Sequence, residues 1–421
     1  MDTNEVQIEL NKIAFFGCEQ IKVGDVLHYS LENPIKGNLL IVILKLLRLS
    51  FIASSYDFQQ YGESKALMFF SNDYRFRADH LKAFNSVLTV LNNAIAIRPS
   101  SKKYSFKGIG RVLLPIRWVK QMSKVVPSLQ LRIRYSFTVF SAYIDACEIT
   151  SKIENSKWRK LPLITYCDVM PTDSFIIQHF NNLGKLTVTL QHGSFNVKTN
   201  SWAYLGSHSK VFLAESQAAV DDGISAGYKG NMIPVGSPHN LNASVMPRKS
   251  SIENNEIELI GVIMNSPMQM VDDNIQMIVE TQEYCKKRGI KLVLKCHPAD
   301  SLDKYKSIID GSMTEICRKG VSVEKFAEDM DLVIVSASTA FLTVLNMGIP
   351  TFLFVRPGND PHLFLDTDML KFSTSDDLDR LIKWRKTSEY SLELNRIKKY
   401  LLSPYEIHKC YQDAFKTIGI L

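Results

Sequence analysis

Three short stretches of this chain combine residue types that can do chemistry. Gln191-His192-Gly193-Ser194 follows the apolar, β-branched run 185–190. That run reads as a buried strand, and the glycine as its tight exit turn. Side chains at the carboxyl end of a strand in an open α/β sheet face the ligand crevice. A histidine there can take a proton from a hydroxyl near neutral pH. Lys295-Cys296-His297-Pro298 closes a second run, 290–295, and Ser336-Ala337-Ser338-Thr339 closes a third, 331–335. Pro298 stops its strand and aims His297 outward. Small hydroxyl residues at a helix start offer donors, and the helix end adds free N–H groups and its positive dipole, a combination suited to phosphate. Plainer roles stand beside these: Ser338 or Thr339 fits an ordinary N-cap, and either histidine fits a hydrogen-bonded strand end.

The elements that must position these residues follow from length and pattern. A chain of 421 residues is too long for one core, so two domains are expected. Hydrophobic content of 45% and charged content of 22% are those of a folded globular protein. No repeat or low-complexity tract is present. The seven cysteines (18, 147, 167, 285, 296, 317, 410) are dispersed and form no CxxC pair, which argues against a disulfide framework and a zinc site and for a reducing compartment. The first residues are polar and acidic, without a basic n-region, so no secretory leader is expected. Leu39 to Ala53 is the most apolar run. Lys45 and Arg48 interrupt it and it is too short to span a bilayer, so it reads as a core helix rather than one lying on a membrane.

In chain order, residues 12–17 read as a first strand, 36–53 as a helix, 66–70 as a strand ending in Ser71-Asn72-Asp73, and 78–94 as a helix. Strands at 161–168, 185–190, 209–214 and 232–235 alternate with helices at 171–183 and 216–226, the pattern of a parallel sheet. Asp168 ends the first of these strands, and Gly236-Ser237-Pro238 follows the last. Polar residues 239–256 read as an interdomain linker. A second series follows: strands 256–263, 290–295, 331–335 and 350–355, helices 271–288, 301–309 and 339–347, then helices 376–386, 391–402 and 405–417.

From Arg98 to Arg134 there are ten basic residues and no acidic one, with Leu113, Leu114, Trp118 and Val119 interleaved. The excess suits anionic lipid head groups or an anionic acceptor. No nucleic-acid-binding motif accompanies it, so nucleic acid is not expected as a partner.

The motif set over residues 160–360 resembles the GT-B glycosyltransferase superfamily. More narrowly it resembles bacterial surface-polysaccharide enzymes: capsule and lipopolysaccharide transferases, polysialyltransferases, and the teichoic-acid glycerol- and ribitol-phosphate transferases. The matching residues are Gln191-His192-Gly193, His297-Pro298, Ser336 to Thr339 and the turn Val235-Gly236-Ser237-Pro238. The resemblance implies an α/β GT-B fold, two Rossmann-like domains facing a central cleft with a C-terminal helical tail. It places an acceptor domain at 1–238, the linker at 239–256, a nucleotide-sugar domain at 257–390 and helices packing back across the domains at 391–421.

What the resemblance implies for chemistry is a metal-independent, inverting transfer of sugar from a nucleotide-activated donor to a growing surface polysaccharide or glycolipid, in the cytoplasm or peripherally at the inner membrane through 98–134. His297, Pro298, Ser336, Ser338, Thr339, Lys295, Gly193, Ser194, Gly236 and Ser237 would line the donor. His192 is the first-choice base, with Asp168 and Asp73 behind it. No cofactor and no metal are expected: Asp272-Asp273 and Asp376-Asp377 read as helix-start acids. Asp221-Asp222-Gly223 matches a sialyltransferase motif but falls within a helix, and Gln191-His192-Gly193 occupies the place it should hold. Three other functions share the architecture: polyol-phosphate transfer from CDP-glycerol or CDP-ribitol, UDP-sugar 2-epimerisation, which needs a carboxylate cluster not visible near these motifs, and a non-catalytic nucleotide-binding scaffold.

Overall fold

The computed structural model describes residues 2–32, 37–74, 78–106, 111, 113–191, 204, 208–241, 256–265, 271–297, 300–336, 338, 340–358, 368–402 and 406–421, with the backbone alone for 32, 74 and 101–106. His192, Gly193, Ser194, Pro298, Thr339 and most of the expected linker lie outside the described residues.

The first half builds a seven-stranded sheet from β1 (Ile52–Tyr61), β2 (Ala66–Phe69), β3 (Ala94–Phe106), β4 (Leu163–Thr165), β5 (Thr187–Leu190), β6 (Val211–Ala214) and β7 (Asn231–Pro234), in the order β1-β3-β2-β4-β5-β6-β7. All neighbours are parallel except β1, which runs antiparallel along the edge. Alternation places Leu67, Phe69, Ile95 and Ile97 on one face, under the helices Leu129–Glu154 and Pro171–Asn182. Ala66, Met68, Ala94 and Ala96 face the other way, under Ala78–Leu91. Ile407–Thr417 returns to that second face, where Tyr411 and Phe415 are buried and the Tyr411 hydroxyl donates to the Gly236 carbonyl at 3.1 Å.

The second half is a six-stranded, wholly parallel sheet: β8 (Leu259–Ile263), β9 (Lys291–Lys295), β10 (Thr314–Ile316), β11 (Leu332–Val335), β12 (Thr351–Phe354) and β13 (Lys371–Phe372), ordered β10-β9-β8-β11-β12-β13. Counted from its own first strand this is 3-2-1-4-5-6, the doubly wound order of nucleotide-binding sheets. Two helix-wrapped sheets of this kind form the expected α/β GT-B fold. Ala218, from the first half's helix Gln217–Ser225, packs into the second half's core.

Three expectations need correcting. Residues 12–17 form no strand: they are a loop packed on the helix Leu113–Met122, with Trp118 Nε1 donating to the Phe16 carbonyl at 2.9 Å. The helix expected over 301–309 is a single 3-10 turn, Leu302–Lys304. The apolar run after Asn38 is a helix, Leu39–Phe51, but not a core helix: Leu40, Ile41, Leu44, Leu47 and Phe51 are exposed. Only one side of it meets the layer beneath, so composition alone misjudged its burial. No helix among the described residues is long and apolar enough to cross a membrane.

Candidate functional site

Register gathers the second half's polar strand ends. Ile263 of β8 pairs with both Val335 of β11 and Lys295 of β9. Asn265, His297, Ser336 and Ser338 therefore leave the sheet at one level, beside the point between β8 and β11 where the strand order reverses. Ligands of open α/β sheets bind in the crevice outside such a point.

Asn265 was missed in the sequence because nothing marks an asparagine as the end of a switch-point strand. It is 3% exposed, and among the described residues neither atom of its side-chain amide has a hydrogen-bond partner. Its backbone is locked: its N–H donates to Asn274 Oδ1 at 2.9 Å and its carbonyl accepts Asn274 Nδ2 at 3.2 Å. Asn274 donates on to the Tyr305 hydroxyl, which donates to Asp300 at 2.6 Å. Burial alone would raise the Asp300 carboxyl, but the hydrogen bonds from Tyr305 and Lys304 outweigh it and hold the group below its usual range. Asp300 in turn donates its N–H to the His297 carbonyl at 2.9 Å, which braces the half-buried His297 turn.

The remaining candidates in this half divide. Ser336 is buried, and Ser338 is the cap its position suggested, its hydroxyl accepting the Ala340 N–H at 3.3 Å. The Lys295 ammonium is turned onto the Val321 carbonyl. Arg356, after β12, faces Asp273 at 2.7 Å, so Asp273 serves an ion pair as well as a helix start.

The first half has its own reversal, between β2 and β4, and the carboxylates collect there. Asp73 follows β2 and is exposed; it accepts the Thr172 N–H at 3.4 Å. Its loop is held from β1, where the Tyr56 hydroxyl accepts the Asn72 N–H at 3.3 Å and Ser54 Oγ accepts Asn72 Nδ2 at 3.1 Å. Asp168 follows β4, is buried, and accepts the N–H groups of His208 and Ser209 at 3.1 and 3.3 Å. Asp173 is fully buried in the first turn of Pro171–Asn182; burial first, and the charge of Asp73 next, hold its carboxyl well above the usual range. Sequence separation hid this group, which only the strand order assembles. Gln191, ahead of the His192 position, is buried and accepts the Glu215 N–H at 2.8 Å. Gly236 (φ 104°) and Ser237 form a brace: Ser237 Oγ donates to Glu215 at 2.9 Å. A cavity of about 370 Å³, lined by Cys18, Tyr143, Cys147 and His179, opens between helices of the first half.

Asp145, 3% exposed, sits behind the Asp73 loop and accepts the Tyr56 hydroxyl at 3.0 Å. Burial pushes its carboxyl from 3.8 up to about 7, against the Tyr56 hydrogen bond and with help from Asp73 and Glu148. A carboxyl held above its unfolded value keeps its proton longer in the folded chain, so raising the pH between those two values drains stability, by up to roughly 1.4 kcal/mol per unit. Asp145→Asn removes that titration. Urea unfolding should show the variant's stability relative to wild type growing from about pH 4 to about pH 7 and level above; a constant difference would mean that Asp145 is ionised throughout.

No protein-family model matches the chain, and no curated protein matches it. Among solved structures it is similar to the UDP-GlcNAc 2-epimerase of Neisseria meningitidis bound to UDP-GlcNAc (12% identity, 84% of this chain, 98% of that chain, TM-score 0.47). It is also similar to the lipopolysaccharide outer core galactosyltransferase WaaB (9%, 84%, 99%, 0.48) and the α,α-trehalose 6-phosphate synthase of Burkholderia multivorans (8%, 85%, 96%, 0.49).

Proposed function

We propose that this protein transfers a sugar from a nucleotide-activated donor to a hydroxyl of a bacterial surface polysaccharide or glycolipid, with inversion and without a metal. The bare, buried amide of Asn265 at the switch point of a 3-2-1-4-5-6 sheet carries the reading. An unpaired buried amide costs about 1–3 kcal/mol unless a ligand satisfies it. The donor's nucleotide lies along the second half's strand ends, with its phosphates toward His297, Ser336 and Ser338. The acceptor meets the first half, where Asp73 or His192 removes its hydroxyl proton. The oxygen attacks the anomeric carbon, the bond to the phosphate breaks, and the leaving nucleotide is stabilised by donors already in place.

The test is thermal unfolding against CMP, CDP, UDP, GDP and their sugars, with EDTA present. One nucleotide should raise the melting temperature in proportion to the logarithm of its excess. Asn265→Leu should leave the free protein as stable or more so, because it removes an unsatisfied amide, and should abolish the nucleotide's effect. No shift with any nucleotide sinks the reading. The carboxylates at β2 and β4 favour one second reading, UDP-sugar 2-epimerisation. It predicts an altered nucleotide sugar without acceptor, whereas polyol-phosphate transfer predicts a phosphodiester.

A further inference from the structure

The helix Leu39–Phe51 faces water with its apolar side. Leu40, Ile41, Leu44, Leu47 and Phe51 keep 37–61% of their surface exposed, and they recur at the three- to four-residue spacing of one helical stripe. Val42, Leu46 and Leu49 hold the helix to the first half. On the other flank of Leu129–Glu154, the helix Leu113–Met122 buries Leu114, Trp118 and Met122 and exposes Leu113 and Ile116. The two helices are tied to a single turn of that long helix, from opposite sides. Arg134 donates to the Gly37 carbonyl at 2.6 Å, and the Ser136 hydroxyl contacts Met122 Sδ at 3.9 Å.

Charge decides what this face meets. No acidic residue occurs from Asn33 to Tyr56, or between Asp79 and Asp145. Lys45 and Arg48 stand exposed beside the apolar stripe of the first helix, and Arg117, Lys120 and, just beyond its end, Lys124 stand exposed on the second. Arg117 lies over the Phe16 ring, 4.0 Å from its centroid. We infer that this face docks on the surface of an anionic lipid bilayer. The Leu40–Phe51 stripe sinks to the level of the acyl chains, and the lysines and arginines meet the phosphates. A helix of 13 residues is too short to cross, so it lies in the interface. Twofold pairing with a second copy is disfavoured, because it would set Lys45 and Arg48 against themselves with no carboxylate to neutralise them. This moves the expected membrane contact from the basic stretch alone to an apolar helix outside it, and it holds whether or not the chain is a transferase.

Sedimentation of the full chain with vesicles tests it, using equal parts phosphatidylglycerol and phosphatidylcholine against phosphatidylcholine alone. The wild type should bind the anionic vesicles at least about tenfold more tightly, and less so as salt rises. Leu44→Glu/Leu47→Glu should lose about tenfold or more of that binding with an unchanged melting temperature, since both side chains are exposed in the free protein. Arg117→Glu/Lys120→Glu should lower binding to the anionic vesicles only. Equal binding of wild type and the leucine variant, or no binding to either vesicle, overturns the proposal. So does a concentration-dependent dimer in light scattering that the leucine variant abolishes, which would give the face to a second copy.

Discussion

Asp73→Asn should slow transfer by about 10²- to 10⁴-fold, the usual contribution of a positioned general base. Asp73 is the exposed carboxylate at the β2/β4 reversal, and its loop is fixed from β1 through Tyr56 and Ser54. Asparagine keeps an oxygen for the Thr172 N–H and removes a charge beside the buried Asp173, so the fold should not suffer. The loss should fall on kcat, with the nucleotide-induced rise in melting temperature intact, because the proposed donor site is on the other half. His192→Ala is the companion measurement. If it abolishes turnover while Asp73→Asn leaves it near wild type, the base is the histidine that follows Gln191, and Asp73 is reduced to capping the helix Pro171–Asn182.

His297→Ala should cost about 10²- to 10³-fold in kcat/KM, the scale of losing one preorganised donor to a developing anion. It should also erase the thermal shift given by the nucleotide. The residue leaves β9 level with Asn265, and its backbone carbonyl is braced through Asp300, Tyr305 and Asn274, so the main chain that carries the ring is fixed in the free protein. Lys295→Ala is the control. That ammonium is committed to the Val321 carbonyl, so the variant should lose stability but keep nucleotide binding. Equal losses of binding in both variants would show that the phosphate reads the strand end as a whole and not the imidazole.

From residue 161 onward the sequence by itself determined most of the buried strands and the helices between them, because a parallel strand covered on both faces must be a continuous apolar run. It also placed His297, Ser336 and Ser338 at strand ends, since an apolar run that stops at proline or hydroxyl residues announces its own terminus. It did not reveal β1, the polar edge strand, or β3, whose second half is basic and polar, or the two- and three-residue strands β13 and β10, whose pattern is too short to stand out. Tertiary structure alone decided which ends meet. Asp73 meets Asp168 and Asp173, and the Ser336 end of β11 meets Asn265, only because crossover connections reverse the order of the strands. It alone also decided that Leu39–Phe51 is half uncovered: hydrophobicity is a property of the residues, but burial depends on what the rest of the chain lays over them.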